Sequence, residues 1–388
     1  MADPFDSDLQ ACRATLRDGS RSFLAAARLL PGRVHRPATA LYAFCRVADD
    51  LIDRDPGGAA AGLAVLHRRL DGIYAGTPAD DPADRALCHV AARHDLPRAL
   101  LDGLLDGFAW DAEGRRYADL PDLLDYAARV AGTVGAAMAV LMGVRSAGLV
   151  ARACDLGVAM QLSNIARDVG EDARAGRLYL PLRWLREAGV DPDAFLAAPA
   201  PGPAIAGVVR RLLDEAGALY ARADDGIAGL PLSCRPGIAT ARRLYAAIGR
   251  EVARNGYDSV TRRARVGGGR KILLAGMSVL ASPFMARDAR CPVPPPLPAA
   301  RHLVAAVTAG PLPATDVQER AQEGAQEGVR DGASEGAPGG APEGAPGGAP
   351  GGISEGRVSL ADRLAHGAGR PAGTGVSRGA VGMDRHSC

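Results

Sequence analysis

The alternation of Val, Ile, Thr and aromatic residues that marks a strand is nearly absent from residues 1–310. Long apolar stretches run unbroken instead, as in ATALYAFCRVADDLID after Pro37, a residue placed where a first helical turn would begin. Loops are predicted at Pro31-Gly32, Asp55–Gly58, Thr77–Pro82 and Pro199–Pro203, where Pro, Gly and Asp cluster. The expectation is one all-α domain over residues 1–310, larger than a simple four-helix bundle. Val130–Val144 is an uncharged run of 15 residues. A bilayer span needs about 20, so this run predicts a buried helix.

Near residue 310 the pattern changes. Gln322–Arg357 consists of nine tetrapeptides, mostly with Gly at the third place. Segments so rich in Gly and Pro bury little apolar area, which predicts a disordered tail over 311–388. No known solenoid has that period.

Composition narrows the classes. Of 388 residues, 46 are basic and 44 acidic, a net charge of +2, which argues against a nucleic-acid partner. Lys271 is the one lysine, and six Phe and two Trp leave a core of small and aliphatic side chains. Seven cysteines form no C-x-x-C pair and no signal peptide is visible, so a cytoplasmic setting is expected.

Two acidic stretches carry the candidate chemistry. Tyr42, Arg46, Asp49 and Asp53 are spaced 4, 3 and 4 and share a helix face, with Asp50 turned about 100° away. Gln161, Asn164, Asp168 and Asp172, spaced 3, 4 and 4, share another of about 16 Å. Arg167 and apolar Leu162, Ile165 and Val169 lie between them. Acid on a helix is usually a solvated face. Here Asp, a poor helix former, recurs at four such places and repels itself at i,i+4. A cation would offset both costs, and hard oxygen ligands suit Mg2+ or Mn2+ completed by substrate phosphate. A di-iron site would need Glu-x-x-His, and no histidine has an acidic residue three places before it. There is no Walker loop and no G-x-G-x-x-G after a strand.

The run Leu156–Pro181, LGVAMQLSNIARDVGEDARAGRLYLP, closely resembles a signature of the squalene and phytoene synthase family. Tyr126–Gly135 (YAARVAGTVG), Asp49–Asp53 (DDLID) and Gly19–Phe23 (GSRSF) resemble three further motifs of that family, in the same order, over about residues 8–290. Within the family the chain is most similar to its bacterial phytoene-forming branch. The resemblance implies an isoprenoid synthase fold with a central cavity, and head-to-head joining of two prenyl diphosphates. It implies that Asp49, Asp53, Asn164, Asp168 and Asp172 hold Mg2+ (or Mn2+), and that Ser20, Ser22, Arg46, Gln161 and Arg167 contact diphosphate oxygens. Tyr245 and Arg262 match later diphosphate-contacting positions. Tyr126 matches a tyrosine that manages protons or stabilises cations, and Phe23 and Tyr42 would border the prenyl chains. No nicotinamide is expected.

Several readings stay open on the residues alone. The Ala/Gly-rich helix Ala127–Val144 suits a cavity wall and equally suits close helix packing. Arg167 is placed to pair with Glu171, Tyr245 reads equally as a core tyrosine, and Gly176–Pro181 as a helix-ending turn. The eight arginines and Lys271 of residues 242–271 suit either a peripheral membrane contact or a solvated face with diphosphate contacts. Synthesis of squalene, hydroxysqualene or dehydrosqualene from C15 substrates, a terpene cyclase reading DDxxD, and a non-catalytic scaffold are the alternatives to phytoene formation from C20 substrates.

Overall fold

The computed structural model describes residues 4–18, 26–54, 58–285 and 294–309. The repeat-rich tail and the Ser20–Phe23 stretch lie outside the described residues. Among those described there are helices and no strands. α1 (Pro4–Asp18), α2 (Gly32–Arg54), α3 (Ala59–Ala75), α4 (Pro82–His94) and α5 (Arg98–Ala112) come first. A long helix α6 (Leu120–Leu141) and α7 (Ala147–Arg174) come next. Short α8 (Leu182–Glu187) and α9 (Pro192–Ala197) lead into α10 (Pro203–Ala228), α11 (Arg235–Arg254), α12 (Gly268–Ala281) and α13 (Arg301–Thr308).

α7 is the axis of the fold. Twenty-one of its 28 residues are buried, and α6, α10, α11 and α13 pack around it. Two reciprocal glycines set its distance from α6. A Cβ on Gly135 would stand 2.2 Å from the carbonyl oxygen of Ala153, and one on Gly157 equally close to that of Ala131. No side chain fits at either place, so close helix packing, one of the two readings of the small-residue run, is realised here.

Two helices differ from expectation. α2 starts at Gly32, not at Pro37, because the Pro31 carbonyl accepts from the N–H groups of Val34 and His35 and so begins the helix earlier. Pro37 then sits inside α2, where its missing N–H forfeits one hydrogen bond near the start of a 23-residue helix. α6 is longer than the uncharged run suggested, since Asp122, Asp125 and Arg129 belong to it. Its 22 residues are long and apolar enough to cross a membrane, yet 72% of its most apolar window is buried inside the protein, as a core helix requires. Residues Ala128–Gly132 form a π turn within it. The turn inserts extra backbone and re-aims the rest of the helix, so Ala131, Val134, Gly135 and Met138 face the interior cavity.

Candidate active site

The polar half of α7 gathers five of the predicted residues in one buried row. Gln161, Asn164, Arg167, Asp168 and Asp172 are each no more than 2% exposed. Such burial decides against a solvated acidic face. Arg167 donates through Nε and Nη2 to the carboxylate of its neighbour Asp168, at 2.8 Å for Nε, rather than to Glu171. Burial works against the Arg167 cation, and Asp168 outweighs it, so the guanidinium stays firmly charged.

A second arginine closes on the same carboxylate. Arg263 Nε lies 3.0 Å from Asp168, and its Nη1 lies 3.0 Å from Glu171. The loop carrying it is pressed onto α7 at Gly170. There the Gly170 N–H donates to the Ser259 carbonyl at 2.9 Å, and Arg174 donates to the Val260 carbonyl. A Cβ on Gly170 would stand 2.2 Å from the Val260 carbonyl oxygen, so only glycine permits this approach. The Asp258 carboxylate shapes the loop from within, accepting from the amides of Val260 and Thr261 at 3.0 and 2.9 Å and from the Thr261 hydroxyl. Burial tends to raise its pKa, and these hydrogen bonds hold it below the usual carboxylate range.

Arg262, the arginine matched from sequence, is exposed and lies beside Asp258; its neighbour Arg263 is the one brought to Asp168. In a loop there is no period to tell two adjacent arginines apart. The signal in the sequence is Gly170, a glycine inside a helix, which marks a close backbone approach.

The other acidic stretch stands on α2. Asp49 is buried, and Tyr42 and Arg46 line the cavity. Arg46 reaches Asp50 at 3.0 Å and Asp49 at 3.9 Å, so Asp50, off the shared face, is engaged through the length of the arginine. Asp53 falls in the last turn of α2, and its side chain lies outside what the structure describes, as do Ser20, Ser22 and Phe23.

Beyond this polar end lies a cavity of about 1280 Å³ of empty space, part of it open to solvent. Its walls are overwhelmingly apolar, and 11 of its 27 lining residues are Ala or Gly. Along α7 the wall comprises Leu149, Arg152, Ala153, Leu156, Gly157 and Met160. It therefore runs directly into Gln161. Tyr245 is both deeply buried and part of the wall beside Tyr42 and Arg46. The small-residue helix is thus a cavity wall as well as a packing surface.

Tyr126 is not part of that wall. Fully buried, it donates to Asp111 at 2.7 Å, and Tyr179 of the GRLYLP run donates to the other oxygen of the same carboxylate. With Tyr117 the rings form a cluster with centroids 5.1 to 6.1 Å apart. No spacing or motif in the sequence marks Asp111 and Tyr179 as partners. They tie the end of α5 to α6 and to the segment that leaves α7.

Several polar atoms in the α7 row have no protein partner. They are both side-chain amide atoms of Gln161 and of Asn164, Nη1 of Arg167, and Nη2 of Arg263 on the facing loop. Each buried unpaired group costs about 1–3 kcal/mol, so such a concentration calls for a polar ligand. Among the described residues no three acidic, His or Cys side chains converge closely enough to hold a metal alone. Mg2+ needs only one or two carboxylates when phosphate oxygens complete its shell. Asp and Asn oxygens beside free guanidinium donors therefore fit a cation shared with a diphosphate.

The model of the squalene/phytoene synthase family matches residues 16–270. A phytoene synthase of Rhodobacter capsulatus is 55% identical over 71% of this chain and 82% of its own length. One of Cereibacter sphaeroides is 54% identical over 70% and 79%. A solved dehydrosqualene synthase superposes with a TM-score of 0.65 at 33% identity, over 71% of this chain and 98% of that one. The matched residues contain the α7 row, both halves of the acidic site and most of the cavity wall, and the chain belongs to the squalene/phytoene synthase family of prenyltransferases.

Proposed function

We propose that the protein joins two C20 geranylgeranyl diphosphates head to head, by way of prephytoene diphosphate, to give phytoene for carotenoid synthesis. The observation that carries this reading is the continuity of the α7 polar row with a large apolar cavity. A polar head and two long hydrocarbon tails are what such a site accommodates, and relatives named phytoene synthase share more than half of its aligned residues.

The first half-reaction breaks the C1–O bond of one substrate. A divalent cation, Mg2+ or Mn2+, held by Asn164, Asp168, Asp172, Asp49 and Asp53, would supply positive charge to the leaving diphosphate. Arg46, Arg167 and Arg263 supply the rest as preorganised donors, and Gln161 orients an oxygen through its unpaired amide. The C2–C3 double bond of the second substrate attacks the allylic cation, and loss of a proton closes the cyclopropane. In the second half-reaction that diphosphate leaves, the ring rearranges and a further proton is lost. The cavity offers the carbocations apolar walls and few nucleophiles. Tyr126 is directed at Asp111, which favours released diphosphate as acceptor of the final proton. No hydride is required, so no nicotinamide takes part. Because the hydrocarbons are insoluble, the protein works at a membrane face without spanning it.

Incubation with the C20 diphosphate, Mg2+ and no reductant should release diphosphate and yield a C40 hydrocarbon. The similarity to a dehydrosqualene synthase favours a C15 substrate as the second reading. A C30 product from C15, with none from C20, would establish it.

A further inference from the structure

α12 is inverted relative to a helix that lies between protein and water. Toward the protein it buries only Leu274 and Ser278, the latter fixed by a hydrogen bond from Arg243 of α11. Outward it presents Ile272 (76% exposed), Leu273 (61%), Met277, Val279 and Leu280 (75%). At about 100° per residue these five fall within one half of the circumference, opposite Leu274 and Ser278. Phe284, 85% exposed, continues the stripe in the 3-10 turn after α12. Scattered exposed apolar residues are ordinary, whereas a contiguous stripe of six large ones marks an interaction surface.

A basic cluster flanks the stripe. Partial burial and the neighbouring Arg270, Arg242 and Arg254 all disfavour the charge on Arg250, which is still partly open to solvent. Two carboxylates among the described residues answer this cluster: Asp224 pairs with Arg242, while Glu251 is shared by Arg254 and Arg270. Lys271 adds a further cation at the start of α12. At the other end, Arg235 donates to the carbonyls of Met285 and Leu230, at 3.0 and 2.9 Å, and Leu230 is part of the cavity wall. The stripe thus ends one side chain from the hydrocarbon cavity.

We propose that this face docks on an anionic phospholipid bilayer, with α12 in the plane of the interface. Ile272, Leu280 and Phe284 enter the acyl region, and the arginine cluster of α11 and α12 meets the headgroups. Charge selects this occupant over a second copy of the chain, because a two-fold contact over α12 would bring one basic cluster toward the other. The docking deepens the reading of the reaction by placing the cavity wall against the phase that holds long-chain substrate and product. It does not depend on product identity.

The test is sedimentation of the full chain with vesicles of phosphatidylcholine alone or mixed with phosphatidylglycerol, at low salt, alongside light scattering without lipid. The expected result is a monomer that pellets with the anionic vesicles and much less with the neutral ones. The triple variant I272S/L280S/F284S should bind at least about tenfold more weakly with an unchanged melting temperature, because all three side chains are already exposed. R250Q with K271Q should reduce binding to the anionic vesicles only. Failure of the folded wild-type chain to bind would overturn the proposal. So would equal binding by the triple variant, or a wild-type dimer that the triple variant converts to monomers.

Discussion

α7 buries charge, and α12 exposes hydrocarbon. Both break the ordinary division of a helix into an apolar inside and a polar outside, and in opposite senses. On α7 two arginines and three aspartates lie in the core, with amide and guanidinium atoms left unpaired. On α12 five large apolar side chains point away from the protein, while one leucine and a serine point in. Neither pattern is explained by the fold alone. Burying polar groups costs stability, and exposing a stripe of large apolar ones forfeits it. In each case something outside the chain has the complementary character, a charged ligand for α7 and an apolar phase for α12.

The sharpest way to break the α7 half of this comparison is to remove its central carboxylate. Asp168 answers two arginines, so D168A strands the fully buried Arg167 and leaves Arg263 with Glu171 alone. It should lower turnover by about a thousandfold or more and cost about 3–5 kcal/mol of stability. D168N, which keeps the shape and can still accept hydrogen bonds, should lose similar activity with a smaller fall in melting temperature. D172A, which leaves Arg167 and Arg263 their Asp168 partner, should lose activity without a comparable loss of stability. Diphosphate release and thermal melting separate the two effects, and full activity of D168N would remove this row from the reaction.

A smaller effect comes from the facing loop. G170A gains roughly 1 kcal/mol of helix propensity, yet its Cβ would press the Val260 carbonyl at 2.2 Å. The loop should lift and take Arg263 from Asp168. Turnover should fall by about ten- to a hundredfold, with a lower melting temperature although the helix itself is improved. R263A should reproduce the activity loss, and R262A should not. Equal losses from the two arginine variants would mean that the loop is placed differently in the working enzyme.

These cases show what was legible beforehand. The helical class, the two acidic faces and the burial of α6 come from spacing and composition, because a helix repeats every 3.6 residues. The unpaired Gln161 and Asn164 are on the face that spacing named. What spacing does not reach is anything fixed off a helix. Arg263 is chosen over Arg262 by a loop clamped on Gly170, and Asp111 receives two tyrosines from separate segments. The apolar letters of α12 do not tell which side meets the core, and one inward position is marked where Ser278 accepts a hydrogen bond from Arg243 of α11.

Stability measurements on α12 sharpen the other half. Leu274 is 8% exposed and Leu280 is 75% exposed, on opposite sides of one helix. L274A should cost about 2–3 kcal/mol. L280A should change stability by no more than about 0.5 kcal/mol. Denaturant unfolding of both variants checks the orientation of α12. A larger loss from L280A would mean that α12 turns its stripe inward in solution, leaving no free face to dock.

The smallest effect lies in the acid stability of the loop that serves α7. Burial would raise the Asp258 carboxyl, but hydrogen bonds from Thr261 and Val260, with Arg262 nearby, hold it below its ordinary value. A depressed carboxylate binds fewer protons in the folded chain than in the unfolded one around pH 4. Its contribution is therefore complete above the unfolded value of about 3.9 and is lost as pH falls through the folded value. D258N keeps an acceptor for the amides and removes the titration. Its melting temperature should lie below that of the wild type at pH 7, and the gap should narrow by pH 3. Because the group is only half-buried, the change should be a degree or so, about the limit of comparing two melting curves. A gap constant from pH 7 to pH 3 would show that the Asp258 carboxylate does not hold the loop. The clamp on Gly170 would then rest on the backbone hydrogen bond from Gly170 to Ser259 and on Arg174, and G170A would remain the variant that decides it.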